Sequence, residues 1–232
     1  KLIDLSTQQD ISFALEPSVI ESAEVVITGT PFSANNKTNS LAVVSVSRDQ
    51  LAQSAATNLV DAIAKVPGVS QITTGGAISK PTIRGLGYNR VLTMVDGARE
   101  EGQQWGDEHG IEVDEYNVSR TEVLKVPASL IYGSDALAGV INIISNVPVS
   151  EGVMKGNVFS NYQSNNRMMG SHFDLAGNNK GFIWGINYSA KNAGDYKNKY
   201  DGTVFNSRFL ERNGGGYIGI EKSWGYAQLS FS

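Results

Sequence analysis

Cysteine is absent from this chain of 232 residues, and histidine occurs only twice. The absence of cysteine excludes disulfides, thiolate metal sites and a cysteine nucleophile. Apolar runs of about 18 residues, the length that a membrane-spanning helix requires, are also missing. The formal net charge is −4, which argues against a protein that binds nucleic acid, because such proteins are generally basic.

The stretch 121–145 (TEVLKVPASLIYGSDALAGVINIIS) predicts two buried strands joined by short helical turns. An apolar run precedes Pro127, and the β-branched run at 140–144 is typical of a strand. Between them, Ser134 or Asp135 is placed to cap a short turn. This pattern indicates a small α+β unit with both strands in its core.

The residues before this stretch predict one amphipathic helix and several short strands. Apolar residues recur at helical spacing over 57–65, with Thr57 or Ser54 as the N-cap and Pro67 as the stop. Strands are predicted at residues 41–46, 69–74, 82–84 and 90–95.

Four motifs occur in order along the chain: EVVITGT at 24–30, NLVDAIAKVPGVS at 58–70, IRGLG at 83–87 with VLTMVDG at 91–97, and the stretch 121–145. Together they resemble the plug domain of TonB-dependent outer-membrane receptors of the type found in Bacteroidetes. Val126 stands where that family usually has glycine. The resemblance implies an α+β plug domain followed by antiparallel strands of a transmembrane β-barrel, located in the outer membrane of Gram-negative bacteria.

The sequence after residue 150 changes to short segments in which apolar and polar residues alternate. Phe182, Trp184 and Tyr188 lie on one side of such a segment. An aromatic face with period two is typical of membrane strands, although a soluble sheet on a core shows the same alternation. A membrane strand takes roughly 9–11 residues, so about five strands fit here, whereas plugged barrels have about 22. We therefore expect an incomplete barrel, with His172 on the inner face of its second strand.

The resemblance divides the chain into four parts. Residues 1–23 are similar to the end of an appended β-sandwich domain or its linker, 24–39 to a TonB box and linker, 40–148 to the plug domain and 149–232 to the first barrel strands. The residues expected to bind TonB are Glu24, Val25, Val26, Ile27, Thr28 and Gly29. Such a segment adds as a strand to a sheet edge of TonB through main-chain hydrogen bonds. Arg84 and Glu122 match family residues that help to clamp the plug against the barrel.

The segment 97–116 carries many carboxylates, and one interpretation is a solvated acidic loop. The resemblance instead places it at the plug apex, where substrate would contact Gln104, Trp105, Asp107, Glu108 and His109. Asp107 and His109 are candidate metal ligands, for example for Zn²⁺, because alternate residues of an extended loop share a face. Trp105 with His109 alternatively suits a haem, and Gln103 with Gln104 suits a siderophore or corrinoid.

The function that the resemblance implies is TonB-dependent active import of a scarce nutrient. The expected substrate is an iron complex (haem or siderophore) or a divalent metal, and a bound metal or haem would be substrate, since no cofactor is expected to be required. The implied partners are TonB with ExbB and ExbD, outer-membrane lipid, the nutrient ligand and, as a further candidate, a surface lipoprotein. A non-transporting surface receptor or adhesin is the alternative. Catalysis is not expected, because Ser134-Asp135 has no histidine nearby in the sequence and no nucleophile-elbow motif occurs.

Overall fold

A five-stranded mixed sheet organises the first part of the computed structural model, which describes residues 26–27, 34–35, 43–104, 106, 109–125, 132–145 and 149–232. In chain order, this part contains β1 (Val26–Ile27), β2 (Ala34–Asn35), β3 (Val43–Ser47), α1 (Arg48–Gln53), α2 (Leu59–Ile63), β4 (Val69–Thr73), β5 (Ser79–Ile83), β6 (Val91–Val95), β7 (Ala98–Glu100), β8 (Arg120–Leu124) and β9 (Gly139–Ile144). Short 3₁₀ helices occur at Tyr88–Arg90, Gly102–Gln104, Glu115–Asn117 and Ser134–Ala136. We refer to residues 43–145 as the α+β unit.

The sheet of the α+β unit has the strand order β3-β8-β9-β6-β7. Strands β6 and β9 are parallel, and the other neighbours are antiparallel. β4 and β5 pair separately as an antiparallel hairpin. The predictions for residues 1–23 fall outside the described residues.

Both faces of this sheet are buried. Val123 and Ile141 belong to the cluster that also contains the helix residue Ile63, whereas the adjacent residues Leu124 and Val140 belong to a second cluster. Adjacent strand residues point to opposite faces, which explains why Val123 and Leu124 in β8, and Val140 and Ile141 in β9, are apolar in succession rather than alternating with polar residues. Each such side chain contributes about 1.5–3 kcal/mol on burial.

The predicted amphipathic helix is confirmed as α2, but the predicted N-cap is wrong. Asn58 is the N-cap: it has extended backbone angles, and its side chain accepts a hydrogen bond from the Asp61 N–H at 3.0 Å. Thr57 instead donates from its hydroxyl to the Asp61 carboxylate at 2.6 Å, and Ser54 is the C-cap of α1.

The two strands predicted within 121–145 are confirmed as β8 and β9. Strand β9 begins at Gly139, whose φ is +152°, and a Cβ there would lie 2.1 Å from the Leu124 carbonyl oxygen. Only glycine fits this position, because any side chain would separate β9 from β8. Residues 126–131, and with them Val126, lie outside the described residues.

The second part of the chain forms a sheet of long antiparallel strands. It contains β10 (Met154–Gln163), β11 (Met168–Asn179), β12 (Phe182–Ala193), the short β13 (Lys197–Asn198) and β14 (Gly202–Thr203), β15 (Phe209–Lys222) and β16 (Gly225–Phe231). The five long strands pair in the order β10-β11-β12-β15-β16, and we call them the outer sheet. This confirms the prediction of five antiparallel strands after the α+β part.

The two faces of the outer sheet differ in exposure and in chemistry. One face exposes apolar side chains, among them Val158, Phe173, Tyr188 and Ile218. The opposite face lies against the α+β unit, and His172 is buried there, as predicted. An apolar outward face on every strand is what a lipid-facing sheet requires. Among the residues described, no helix is long and apolar enough to cross a membrane.

Candidate functional site

The predicted TonB-binding segment is described only at Val26 and Ile27. These two residues pair antiparallel with Asn35 and Ala34. The resemblance implies a strand that is unpaired before it meets TonB, and the structure contradicts this for Val26 and Ile27, whereas Glu24, Val25, Thr28 and Gly29 lie outside the described residues. An isolated two-stranded pairing of this kind is only marginally stable in water.

The two ends of the outer sheet differ in the length of their connections. At one end, which we call the loop end, residues 164–167 join β10 to β11 and residues 194–208 join β12 to β15. The Gly194 N–H donates to the Asn166 carbonyl at 2.8 Å, which holds these two connections together. At the other end the connections are tight turns.

The β4–β5 hairpin of the α+β unit reaches the loop end. A Cβ on Gly76 would lie 3.2 Å from the Phe209 ring and 3.3 Å from the Ser207 carbonyl oxygen. The tip of the hairpin therefore contacts the start of β15. This contact places one tip of the α+β unit beside the long connection of the outer sheet.

The loop 101–113 is attached to the same hairpin. The Lys80 ammonium donates to the Gly106 carbonyl at 2.7 Å, and the Ile111 N–H donates to the Ser79 carbonyl at 3.4 Å. Gly110 allows this approach, because a Cβ there would lie 2.8 Å from the Ser79 carbonyl oxygen. Lys80 is buried, although the sequence did not predict it as a site residue. The only sequence feature that indicates its burial is its position in a segment with no other charged residue.

Two of the five predicted substrate residues are described. His109 is exposed, with Nδ1 3.9 Å from a Glu112 carboxylate oxygen, and Gln104 is partly buried. Trp105, Asp107 and Glu108 fall outside the described residues, so the pairing of Asp107 with His109 stays a prediction.

Gln103, which the sequence offered as a ligand for a siderophore or corrinoid, has a structural role instead. Its side chain is fully buried, and its amide nitrogen donates to the Val91 carbonyl at 2.7 Å and to the Thr93 hydroxyl at 2.9 Å. These bonds tie the 3₁₀ helix of the loop to strand β6. A side chain in this position is not accessible to a substrate.

The end of the predicted acidic loop joins the α+β unit to the outer sheet near the loop end, at Lys191 of β12 and Glu211 of β15. The Lys191 ammonium donates to Glu115 Oε2 at 2.5 Å and to Glu211 Oε2 at 3.1 Å. The Ser189 hydroxyl donates to the Asp114 carboxylate at 2.6 Å. The interpretation as a solvated loop is therefore wrong for Glu115, which is buried and bonded to Lys191, whereas the apical placement of the segment stays a prediction.

Burial dominates the electrostatics of this contact. Removal from water raises the pKa of Glu115 to about 7, and the nearby Lys191 ammonium opposes that rise. Carboxylate oxygens of Asp114, Glu115 and Glu211 lie within 4.8 Å of one another. Since Lys191 bonds to two of these three groups, the ammonium already supplies the compensating charge that a metal ion would bring there.

A second polar contact joins the α+β unit to β11. The Arg48 guanidinium donates to Asp174 Oδ2 at 3.0 Å, and His172 Nε2 lies 3.0 Å from the same oxygen. The Tyr116 hydroxyl donates to the Asn161 side chain at 3.0 Å. The inner face of the outer sheet is thus bonded to the α+β unit at several strands.

Arg84 and Glu122, predicted to hold the two parts together, lie elsewhere. Arg84 is exposed in a turn with φ of +52°, and Glu122 is buried in β8, where it accepts hydrogen bonds from Arg120 and Asn142 of the same sheet. Their clamping role stays a prediction.

Comparison with known proteins gives one family for the α+β unit. Residues 35–140 match the family model described as the TonB-dependent Receptor Plug Domain. The chain is 34% identical over 128 residues to an iron-regulated outer membrane virulence protein of Vibrio cholerae. This match covers 52% of the chain and 20% of the relative. It is also 31% identical over 137 residues to the vitamin B12 transporter BtuB of Vibrio vulnificus, and this match covers 58% of the chain and 22% of that protein.

The solved structures extend the similarity to the outer sheet. The hemophore receptor HasR of Serratia marcescens, in complex with its hemophore HasA and heme, aligns with a TM-score of 0.74 and 19% identity over 83% of this chain and 31% of that receptor. This alignment covers both the α+β unit and strands of the outer sheet. The chain spans about a fifth of the length of the curated relatives it matches.

Proposed function

We propose that this chain, whose residues 35–140 carry the plug domain of TonB-dependent receptors and whose relatives are outer-membrane proteins of Gram-negative bacteria, serves the active import of a scarce nutrient. The nutrient would bind at the loop end, and the energy would come from TonB, acting with ExbB and ExbD. The α+β unit is referred to below as the plug.

The observation that carries this proposal is the attachment of the loop 101–113 to the β4–β5 hairpin at the loop end. Lys80 and Ser79 hold the loop by its main chain, which leaves side chains such as His109 exposed. A loop fixed by its backbone presents its side chains to a ligand at low entropic cost.

Residues 24–29 would connect this site to TonB. Among the described residues, Val26 and Ile27 pair with Asn35 and Ala34, and a stronger edge-strand partner can replace that pairing. We propose that TonB takes this place through main-chain hydrogen bonds. The similarity of EVVITGT to the Bacteroidetes type of TonB box supports this assignment.

An iron complex, either haem or a siderophore, is the proposed substrate, and a divalent metal is its rival. The similarity to the iron-regulated protein from Vibrio cholerae supports an iron complex as the substrate. The similarity to a vitamin B12 transporter means that a test should also measure corrinoid binding. Asp107 and His109 are the proposed ligand residues for a metal. Trp105, Glu108 and Gln104 complete the proposed contact surface.

The test is the ligand content of the full receptor purified from native membranes. Elemental analysis and absorbance would measure iron, zinc, haem and corrinoid, in the wild type and in the double variant Asp107→Ala/His109→Ala. Loss of the bound species in the double variant, with retention in the exposed control Glu151→Ala, supports the apical site. Retention in the double variant contradicts it.

A further inference from the structure

The connection between β12 and β15, residues 194–208, exposes large aromatic rings at the loop end. Tyr200 is 91% exposed and Phe205 is 78% exposed, and the ring of Tyr196 is exposed as well. Single exposed apolar side chains are common on protein surfaces, whereas several rings on one short polar segment indicate a binding surface. We refer to residues 194–208 as the β12–β15 connection.

Hydrogen bonds hold this connection in one conformation. β13 and β14 pair as a short hairpin within it. The Asn198 side-chain oxygen accepts hydrogen bonds from the Tyr200 N–H at 2.8 Å and the Asp201 N–H at 2.7 Å, which fixes the turn that carries the most exposed ring. The Lys197 N–H donates to the Asn165 side chain of the β10–β11 turn at 3.2 Å. A surface fixed in this way loses little conformational entropy when a ligand binds.

The base of the connection lies against the plug. The Asp195 carboxylate accepts hydrogen bonds from the N–H groups of Ser207 and Arg208, each at 2.9 Å, and these bonds bring the two ends of the connection together. The Ser207 carbonyl oxygen contacts Gly76 at the tip of the β4–β5 hairpin. The loop 101–113 is attached to the same hairpin, so one hairpin of the plug carries the proposed substrate loop and contacts the connection.

The charge of the connection favours an anionic ligand. It contains two carboxylates and three cationic side chains, which are Lys197, Lys199 and Arg208. Asp195 accepts main-chain hydrogen bonds, and Asp201 accepts a hydrogen bond from the Asn198 amide at 2.9 Å. The three cationic side chains are exposed and form no ion pair with a described residue. Such a surface attracts an anion and repels a bare divalent cation.

We propose, resting on the import function proposed above, that the β12–β15 connection is a wall of the substrate site and binds an anionic iron complex with an aromatic body. Tyr200 and Phe205 would stack on the aromatic body, and Lys197 and Lys199 would meet its negative charge. Haem and a ferric catecholate siderophore share this chemistry. A bare divalent metal lacks both the aromatic body and the negative charge, so the connection distinguishes the iron complex from its rival.

Binding to the full receptor, immobilised in detergent, tests the proposal with defined probes. The anionic aromatic probes are hemin and the ferric complex of catechol, and Zn²⁺ and cyanocobalamin represent the bare cation and the corrinoid. Tyr200→Ala/Phe205→Ala removes the two most exposed rings, and Lys197→Gln/Lys199→Gln removes two charges. We expect the first variant to bind an anionic probe about tenfold more weakly. The second should bind it about threefold more weakly at low salt, and this difference should disappear at high salt.

The turns at the opposite end of the outer sheet supply matched controls. Trp224→Ala removes an exposed ring there, and Lys180→Gln removes an exposed charge. Both controls should bind the probe as the wild type does. Binding of hemin alone assigns the site to haem, and binding of the ferric catechol complex alone assigns it to a siderophore. Wild-type affinity in both double variants, or a wild type that binds only Zn²⁺ or cyanocobalamin, overturns the proposal.

Labelling in whole cells tests whether the connection faces the substrate within the full receptor. The chain has no cysteine, so Tyr200→Cys adds a thiol that a membrane-impermeant maleimide can label, with the wild-type receptor as background. We expect labelling that slows when the bound anionic probe is present. No labelling, or labelling that the probe does not slow, overturns the proposal. TonB-dependent uptake of any other nutrient would still support the import function, so the two proposals fail separately.

Discussion

Lys191 of the outer sheet and Glu115 of the plug form an ion pair with Nζ 2.5 Å from Oε2, although 76 positions separate them in the sequence. The lysine side chain is 1% exposed, and Glu211 completes its surroundings. This pair, with Asp114 and Ser189 beside it, is the most buried polar contact described between the plug and the outer sheet.

Removing the lysine should weaken the plug contact. Lys191→Met leaves the buried Glu115 and the partly exposed Glu211 without their cation, and removing one partner of a buried pair costs about 3–5 kcal/mol. The measurement is the free energy of unfolding of the receptor in detergent, with the exposed Lys199→Met as control. Similar stability of the two variants would contradict this account of the contact.

The same contact predicts a pH dependence. The pKa of Glu115 is about 7 in the folded protein and 4.5 for the free side chain. At pH values between these two, the folded state therefore keeps a proton on Glu115 that the unfolded state has released. The contribution of Glu115 to stability therefore falls by about 3 kcal/mol as the pH rises from about 4.5 to about 7, and is constant above.

The measurement is the difference in unfolding free energy between wild type and Glu115→Gln at about pH 5 and about pH 8. Wild type should lose stability relative to the variant as the pH rises, because glutamine does not titrate. An equal difference in unfolding free energy at both pH values would show that the pKa of Glu115 is not raised in the folded protein.

Gly110→Ala should loosen the loop 101–113. Its Cβ would lie 2.8 Å from the Ser79 carbonyl oxygen, and overpacking of this kind costs about 1–3 kcal/mol. Hydrogen exchange at the Ile111 amide, which donates to Ser79, should become faster. Gly75→Ala is the matched control, since its nearest contact is 3.8 Å from Ile78. Unchanged exchange in Gly110→Ala would argue against the attachment.

The two faces of β12 should respond differently to arginine. Ile186 is exposed near the middle of the strand, and a cation facing the centre of a bilayer costs about 2–4 kcal/mol. Asn187, the next residue, points to the opposite, inner face and is half-buried, so its side chain does not face the bilayer. The amount of folded receptor in the outer membrane should fall for Ile186→Arg and change less for Asn187→Arg, and the reverse order would contradict the assignment of the faces.

The strands of the outer sheet could be predicted because their side chains alternate, and β8 and β9 because their apolar runs fit a sheet buried on both faces. The partner of Lys191 could not be predicted, since alternation assigns a residue to a face but not to a neighbour on another element. For the same reason Glu115 looked like a member of a solvated loop. Asn58 was missed as the N-cap because serine and threonine also cap helices, and only the backbone angles show which of the three residues precedes the first helical turn.

The central claim is that residues 24–29 couple import to TonB. Proline at both Val26 and Ile27 removes the N–H donors that a partner strand would use. In iron-starved cells that carry the full receptor with both prolines, uptake of radiolabelled iron complex should fall to the level of cells without receptor. The amount of receptor in the membrane should be unchanged. The control variant Asn36→Pro should still transport. Uptake at the wild-type rate by the double proline variant would contradict the account.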